Sequence, residues 1–374
     1  MKFTECLIKP VSSRCNLKCE YCFYLDISKG RKVESYGLMG LETLEQLVKK
    51  VFKNTDEVAA FAFQGGEPLL AGTDFYEKFI ELEEKYNKRN IRVMRSIQTN
   101  GLLIDESYGK FFKKNKFLIG ISLDGFREVH DKYRLDNNLE PTFDKVMKGI
   151  DILRKYDVEF NILTVITKEV ARNIKDIYRF YVDNKFNYLQ FIPAMDRGFI
   201  QRGKDMYSLA NNSYYKFLKD LFNLWYRDFI GGRYISIQNF DDIINKILRH
   251  EHMLSCFQRG VCKCQNVVEA NGNLYPCDFY CSDQYILGNI LDDSIDEMMH
   301  RKTTEAFIEE SIGIPKECRQ CEYYRLCRNG CKRFRVDNRY YYCEATKKFF
   351  AKNIFKFEKI TKKILTISVS EGGN

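Results

Sequence analysis

The sequence predicts an α/β protein, an incomplete (β/α)6 barrel followed by a smaller cysteine-rich region. Two observations predict it. From residue 4 to about 193, short β-branched or aromatic runs alternate six times with segments of helical period, and ten of the fourteen cysteines crowd between Cys256 and Cys343. Alternating βα units imply a parallel sheet with right-handed crossovers. In barrels of this kind chemistry is expected where loops leave the C-terminal ends of the strands.

The strand candidates are residues 5–11, 58–63, 93–98, 117–122, 159–166 and 188–193. Between them lie amphipathic patterns. Leu41, Leu44, Leu47, Val48 and Val51 repeat at helical spacing, and similar patterns cover 75–86, 108–113, 146–156 and 174–182. A further helical stretch, 214–229, carries the only tryptophan, Trp225. The basic, aromatic-rich run 347–363 reads as a terminal helix packed on the body, and the last five residues should fray.

At 374 residues, 45% hydrophobic and 14% aromatic, the chain can build a large domain and a smaller one. Fourteen cysteines would suggest disulfides in a secreted protein. The first residues, however, lack a charged segment followed by an apolar run, so the expected compartment is a reducing cytoplasm. No stretch approaches the roughly 18 consecutive apolar residues of a membrane span. The net charge of +9 arises from 60 basic residues interleaved with 51 acidic ones, a distribution of solvated helix faces that argues against a nucleic-acid partner. A basic surface would suit an acidic electron-donor protein such as a flavodoxin or ferredoxin.

The most informative stretch is Cys15-Asn-Leu-Lys-Cys19-Glu-Tyr-Cys22. Three thiolates on one C-x3-C-x2-C loop can ligate three irons of a [4Fe–4S] cube. Cubes that only carry electrons usually take four cysteines. A three-cysteine loop therefore leaves one metal position open, the logic that separates open catalytic zinc sites from closed structural ones. Taken alone, the same spacing would also fit half of a zinc site or buried thiols. The later cysteines read Cys262-x9-Gly272-x4-Cys277, then Cys318-x2-Cys321-x5-Cys327-x3-Cys331, then Cys343.

The cysteine loop resembles the signature of the radical S-adenosylmethionine (SAM) superfamily, and the later block resembles its SPASM extension. The resemblance narrows to one family through CNLKCEYCFY, FAFQGGEPLLAG, SIQTNGLLIDES, FNILTVIT, FLKDLFNLWYRDF and VVEANGNLYPCDFY, which are similar to anaerobic sulfatase-maturating enzymes over nearly the whole chain. It implies a partial (β/α)6 radical SAM barrel over 1–235, a SPASM domain over 236–345 and a C-terminal helix with a frayed tail over 346–374. It also implies SAM and three [4Fe–4S] clusters. The first cluster would be held by Cys15, Cys19 and Cys22. One auxiliary cluster would take Cys256, Cys262, Cys277 and Cys331, and the other Cys318, Cys321, Cys327 and Cys343. Cys6, Cys264 and Cys281 are left over, and small buried hydrophobes are the default for all three.

The same resemblance places SAM contacts at Tyr21, Gly66, Ser122, Arg134 and Met195. Gly65-Gly66 follow the second strand, where glycine permits close approach, and Arg134 is a natural bidentate partner of a carboxylate. A member of the family has a leucine at the position of Met195. Asp278, directly after Cys277, matches the family's general base. The implied reaction converts a cysteine or serine of a sulfatase polypeptide to formylglycine by loss of a Cβ hydrogen atom, a proton and an electron. Gln64 and the loops 194–209 and 257–260 would wall the substrate peptide. Two other readings stand beside this one. A SPASM enzyme could instead crosslink a ribosomal peptide, but such enzymes usually carry a precursor-binding domain, and only fourteen residues precede Cys15. A non-catalytic iron–sulfur scaffold would leave the three-cysteine loop and Gly65-Gly66 unexplained.

Overall fold

The computed structural model describes residues 2–199 and 202–371. All six expected strands are present: β1 (Phe3–Ile8), β2 (Val58–Phe63), β3 (Arg92–Thr99), β4 (Phe117–Ser122), β5 (Phe160–Ile166) and β6 (Tyr188–Pro193), followed by a short β7 (Ser236–Ile237). The first ends three residues earlier than the sequence predicts. Pro10 has no N–H to continue the ladder, and the chain turns there, with Ser12 at a φ of 52° and its N–H donating to the Lys9 carbonyl at 3.3 Å.

The helices are α1 (Phe23–Lys29), α2 (Leu41–Asn54), α3 (Thr73–Tyr86), α4 (Glu106–Lys114), α5 (Arg127–His130), α6 (Phe143–Lys155), α7 (Lys168–Asp183), α8 (Asn211–Ile230) and α9 (Gln238–Ile247). Their ends obey local chemistry. Asp105 caps α4 by accepting from the Tyr108 N–H at 2.9 Å, and Thr167 caps α7 by accepting from Val170 at 3.3 Å. Of the predicted stripe on α2, Leu44, Leu47, Val48 and Val51 are buried, whereas Leu41, at the first position of the helix, is exposed.

The chain forms two compact units interleaved along the sequence. The first comprises Met1–Thr164, Met195–Asp205 and Lys263–Phe307, and the second Val165–Ala194, Met206–Cys262 and Ile308–Asn374. The linear division at 235/236 follows composition, whereas these units follow packing.

In the first unit β1 to β5 pair in consecutive order and in parallel. The sheet continues beyond β1 through β8 (Val267–Val268), β9 (Asn273–Tyr275) and β10 (Gly288–Asn289). β8 runs parallel to β1, and β9 is antiparallel to both β8 and β10. The segment 263–307 thus adds strands to the barrel sheet, which is why it packs with this unit. Along β2 burial alternates with period two. Phe61 and Phe63 lie against Phe79 of α3, each with ring centroids 5.0 Å apart.

In the second unit β6 pairs in parallel with β7. Its core is aromatic: Phe222 of α8 meets Phe349 at 5.4 Å and stacks on Phe357 at 4.5 Å, both from the C-terminal helix Cys343–Glu371. The basic run 347–363 therefore packs an apolar stripe inward, as its sequence predicts. Trp225 is buried and donates to the Ile235 carbonyl at 2.7 Å. Among the described residues no helix is long and apolar enough to cross a membrane.

Candidate active site

The Cys15–Cys22 loop runs from the end of β1 to α1 and is held from one side. The Lys18 N–H donates to the Leu135 carbonyl at 2.9 Å and the Glu20 N–H to the Tyr133 carbonyl at 3.1 Å, so residues 133–136 lie along the loop like a short strand. Backbone amides turn toward the sulfurs: Leu17 N–H lies 3.4 Å from Cys15 Sγ, and Leu25 N–H lies 3.4 Å from Cys22 Sγ, which caps α1. The Arg134 guanidinium stands 3.8 Å from Cys19 Sγ, and the Asn100 amide 3.9 Å from Cys15 Sγ.

The three thiols are electrostatically coupled, and burial pushes both Cys15 and Cys19 up to about 12 and raises Cys22. Thiols in this setting become thiolates only against a cation bound at the sulfurs. Amide and guanidinium donors aimed at sulfur stabilise such thiolates, so the donor set fits an iron–sulfur cluster. Among the described residues no group of three His, Cys, Asp or Glu side chains converges tightly enough for one metal ion.

Gly66 packs on the backbone that leads into this loop. A Cβ there would sit 1.9 Å from the Arg14 carbonyl oxygen, and its N–H donates to the Ser12 carbonyl at 2.9 Å. The glycine is required by the chain's own close approach. Glu67 is fully buried and accepts from Leu69 N–H at 3.0 Å, Thr99 hydroxyl at 2.7 Å and Asn100 N–H at 2.8 Å. Burial nonetheless pushes its carboxyl up to about 7, against the pull of those bonds.

Tyr21 donates its hydroxyl to Asp124, and Arg134 Nε pairs with the same carboxylate at 3.0 Å, with the guanidinium 5.4 Å from the Tyr21 ring. Tyr21, Arg134 and the cysteine loop thus form one buried cluster around Asp124. Ser122, at the end of β4, accepts from the Gln98 amide at 3.1 Å. Met195 is buried at the start of the loop after β6. That loop is tied to the cysteine loop and α1, since Arg197 donates to the Glu20 carbonyl at 3.2 Å and Gly198 N–H to Asp26 at 2.8 Å.

Asp278 opens a short 3-10 turn, Asp278–Tyr280, that packs on α1, with Phe279 edge-on to Phe23 at 4.7 Å. Its two carboxylate oxygens are separately held: Lys9 donates to Oδ1 and Gln64 to Oδ2. Lys9 follows β1 and Gln64 follows β2, so the two donors stand at the C-terminal ends of neighbouring parallel strands and reach the Asp278 carboxylate from there. Lys9 is completely buried and lies 3.7 Å from the centroid of the Tyr24 ring. Tyr24 in turn donates to Glu269, which is paired with Arg31 at 2.5 Å, both fully buried.

The cysteines of the C-terminal block fall into groups. Within the second unit Cys331 is coupled to Cys256 and Cys262, and burial pushes Cys331 up to about 12. Cys318 is coupled to Cys321 and Cys343, and Cys327 to Cys318 and Cys343. Arg339 donates to Cys343 Sγ at 3.4 Å. Cys277 belongs to the first unit. Of the remaining three, Cys281 is fully buried among Tyr24, Ile27, Val267 and Tyr275, and Cys6 and Cys264 are buried as well.

Residues 10–181 match the description "Radical SAM superfamily", and residues 256–322 match SPASM, "Iron-sulfur cluster-binding domain". A protein of Clostridium novyi named cysteine-type anaerobic sulfatase-maturating enzyme is 47% identical over 368 residues, covering 97% of this chain and 98% of that one. The chain belongs to the anaerobic sulfatase-maturating enzymes. A serine-type anaerobic sulfatase-maturating enzyme of Bacteroides thetaiotaomicron is 32% identical over 345 residues, 88% of this chain and 82% of that one. The solved structure of native anSMEcpe with bound AdoMet and Cp18Cys peptide matches with a TM-score of 0.92 at 43% identity, covering 97% of this chain and 99% of that one. The fold of this sulfatase-maturating enzyme is accordingly a radical SAM barrel with an iron–sulfur SPASM domain.

Four groups of this sulfatase-maturating enzyme's site went unread in the sequence: Lys9, Asp124, and the buried pair Arg31 and Glu269. Lys9 carries the clearest signal in retrospect, a lysine placed directly after an apolar strand and before Pro10. Asp124 lies two residues after Ser122, in the turn that leaves β4. Arg31 and Glu269 are 238 residues apart, and nothing local announces their pairing.

Proposed function

We propose that this enzyme oxidises a cysteine of a sulfatase polypeptide to formylglycine, cysteine in preference to serine. The observation that carries the reading is the Asp278 carboxylate, clamped by Lys9 and Gln64 in the same compact unit as Cys15, Cys19 and Cys22. The preference for cysteine rests on 47% identity to a cysteine-type relative against 32% to a serine-type one.

Bound [4Fe–4S] clusters and SAM supply one-electron chemistry: reductive cleavage of SAM to give a hydrogen-abstracting radical, and acceptors for the substrate's electron. Cys15, Cys19 and Cys22 hold the first cluster. Cys318, Cys321, Cys327 and Cys343 would hold one auxiliary cluster, and Cys256, Cys262 and Cys331 would be ligands of the other. Arg134 and Ser122 bind the polar end of SAM, Tyr21 and Met195 shape its pocket, and Gly66 fixes the loop edge against which it lies. Asp278 accepts the thiol proton of the substrate cysteine. Loss of one Cβ hydrogen atom, that proton and one electron leaves a thioaldehyde, and water then replaces sulfur as oxygen with release of sulfide. Gln64 and the described start of the loop after β6, residues 195–198, line the peptide path, and residues 200 and 201 of the expected 194–209 wall lie outside the described residues. The auxiliary thiols, with no disulfide among the described cysteines, fit a reducing cytoplasm, and an acidic flavodoxin or ferredoxin is the electron donor.

The test is anaerobic incubation of reconstituted protein with SAM, dithionite and a Cys-x-Pro-x-Arg peptide, read by product mass and aldehyde trapping. Formylglycine on this peptide and its absence on an unrelated cysteine peptide are expected. SAM cleavage with both peptides left unchanged would overturn the reading.

A further inference from the structure

The geometry points to Lys9 as the positioning residue for Asp278, with Tyr24 as the platform that keeps Lys9 in place. This inference rests on the reading of Asp278 as proton acceptor. A buried lysine is costly unless its ammonium is paired and hydrogen-bonded. Lys9 has no side-chain exposure, yet it is not buried for packing alone. Burial would pull its pKa down, but the Asp278 and Glu269 carboxylates outweigh that and raise it, so the ammonium is retained.

The surroundings are built around this one side chain. Gly65, at a φ of +140°, leaves room for the Lys9 stem: a Cβ at Gly65 would lie 3.3 Å from Lys9 Cβ and 3.4 Å from Cγ. The ammonium donates to Asp278 Oδ1 and rests on the Tyr24 ring at 3.7 Å from its centroid, a cation–π seat inside a desolvated site. The Tyr24 ring is itself locked, because its hydroxyl donates to Glu269 and Glu269 is paired with Arg31 at 2.5 Å. Arg31 also donates to the Glu34 carbonyl at 3.2 Å. The chain of contacts from Arg31 to Asp278 thus fixes the far side of the carboxylate.

The clamp leaves acceptor capacity on both carboxylate oxygens. A carboxylate offers about four lone-pair sites. Lys9 uses one on Oδ1 and Gln64 one on Oδ2, so each oxygen keeps a second lone pair for a thiol proton. A single clamp would let the carboxylate rotate about its Cβ–Cγ bond, and two clamps on different oxygens prevent this. Catalytic groups need to be held to within about 0.5 Å of the productive geometry. Removing one partner of a buried ion pair leaves the other charge uncompensated and is destabilising, so a purely structural role for Lys9 would show as lost stability together with lost iron, SAM and peptide binding, and not as a selective loss of formylglycine per 5′-deoxyadenosine.

The experiment compares Lys9→Met and Lys9→Arg with wild type in reconstituted holoenzyme at saturating Cys-x-Pro-x-Arg peptide. It measures formylglycine formed per 5′-deoxyadenosine released, with iron content, SAM binding and peptide binding measured separately. In Lys9→Met the ratio should fall by at least about tenfold, part of the roughly 10²–10⁴-fold that a general base contributes, while binding and iron content stay near wild type. Lys9→Arg should recover part of the loss. A Lys9→Met ratio within about twofold of wild type overturns the inference, as does a loss matched by equal losses of peptide and SAM binding. If Lys9→Met does not yield folded protein, Tyr24→Leu decides: its ratio should fall in the same way, and a wild-type ratio overturns the inference. Wild-type protein that releases 5′-deoxyadenosine but forms no formylglycine would instead defeat the proposed function itself.

Discussion

Replacing Gly66 by alanine should disarm the N-terminal cysteine triad while leaving both auxiliary cysteine sets intact. The added Cβ would lie 1.9 Å from the Arg14 carbonyl oxygen, 2.5 Å from its carbonyl carbon and 2.9 Å from the Ser13 carbonyl carbon. These are backbone atoms, so no side-chain tip can swing away. Relieving the first contact to an ordinary separation requires the Arg14 peptide to recede by more than about 1 Å, twice the tolerance of a working constellation. Arg14 immediately precedes Cys15, and the Glu67 N–H is bonded to the Arg14 carbonyl at 2.8 Å. The movement therefore reaches Cys15 Sγ on one side and the buried Glu67 on the other.

The energy scale separates a local from a global failure. Forcing a methyl into a packed site costs about 1–3 kcal/mol, occasionally more, against a total stability of about 5–15 kcal/mol for ordinary proteins. Gly66→Ala should fold. After anaerobic reconstitution it should bind about eight irons rather than about twelve, two cubes instead of three, and release little or no 5′-deoxyadenosine. Gly40→Ala is the matched control, because a Cβ at Gly40 meets nothing within 4 Å. Gly66→Ala protein with the wild-type iron content and SAM cleavage rate would refute the steric argument.

Asp278→Asn should keep SAM cleavage but lower formylglycine per 5′-deoxyadenosine by about 10²–10⁴-fold; the amide also turns an N–H₂ toward Lys9 or Gln64, which are both donors. Undiminished product would mean that another group takes the proton. Cys281→Ala should leave the iron content unchanged, because Cys281 sits in an apolar cluster, and should cost about 1 kcal/mol in anaerobic urea unfolding. Loss of four irons would make it a ligand. Glu67, raised to about 7 in the fold from an ordinary 4.5, binds its proton more tightly when folded, so its contribution to stability declines as pH rises from about 4.5 to about 7. Between pH 5 and 8 wild type should therefore lose about 2–3 kcal/mol more than Glu67→Gln, and parallel pH profiles of the two proteins would count against this.

The strands and helices were legible because period two and period 3.6 leave a strong imprint in runs as regular as 58–63 and 41–54. The cysteine loop was legible because its ligands are local, three within eight residues. The support for Asp278 was not. Lys9, Tyr24, Arg31, Gln64 and Glu269 are brought together by β1, β2 and β8 lying side by side, and a pairing such as Arg31 with Glu269 depends on that adjacency. The interleaving of the two compact units was hidden for the same reason. Composition changes near residue 256, but β8 pairs with β1 through backbone groups that any sequence provides.

The contrast between the cysteine groups explains why one of them can take a substrate. Cys318, Cys321, Cys327 and Cys343 form a four-thiol set in one unit, enough to fill every corner of a cube from the protein. Cys15, Cys19 and Cys22 supply three, and the side chains turned toward their sulfurs are the Arg134 guanidinium and the Asn100 amide. Guanidinium has no lone pair to give a metal, so Arg134 stabilises negative charge beside the triad without occupying a ligand position. Asp124 holds Arg134 from behind through Nε, which leaves its outer nitrogens directed toward the loop. An open iron corner beside a fixed cation selects a small molecule that can both chelate metal and present a carboxylate. The amino and carboxylate groups of SAM would meet both demands, so under the proposed function the missing fourth cysteine and the buried Asp124–Arg134 pair would act as two parts of one binding device.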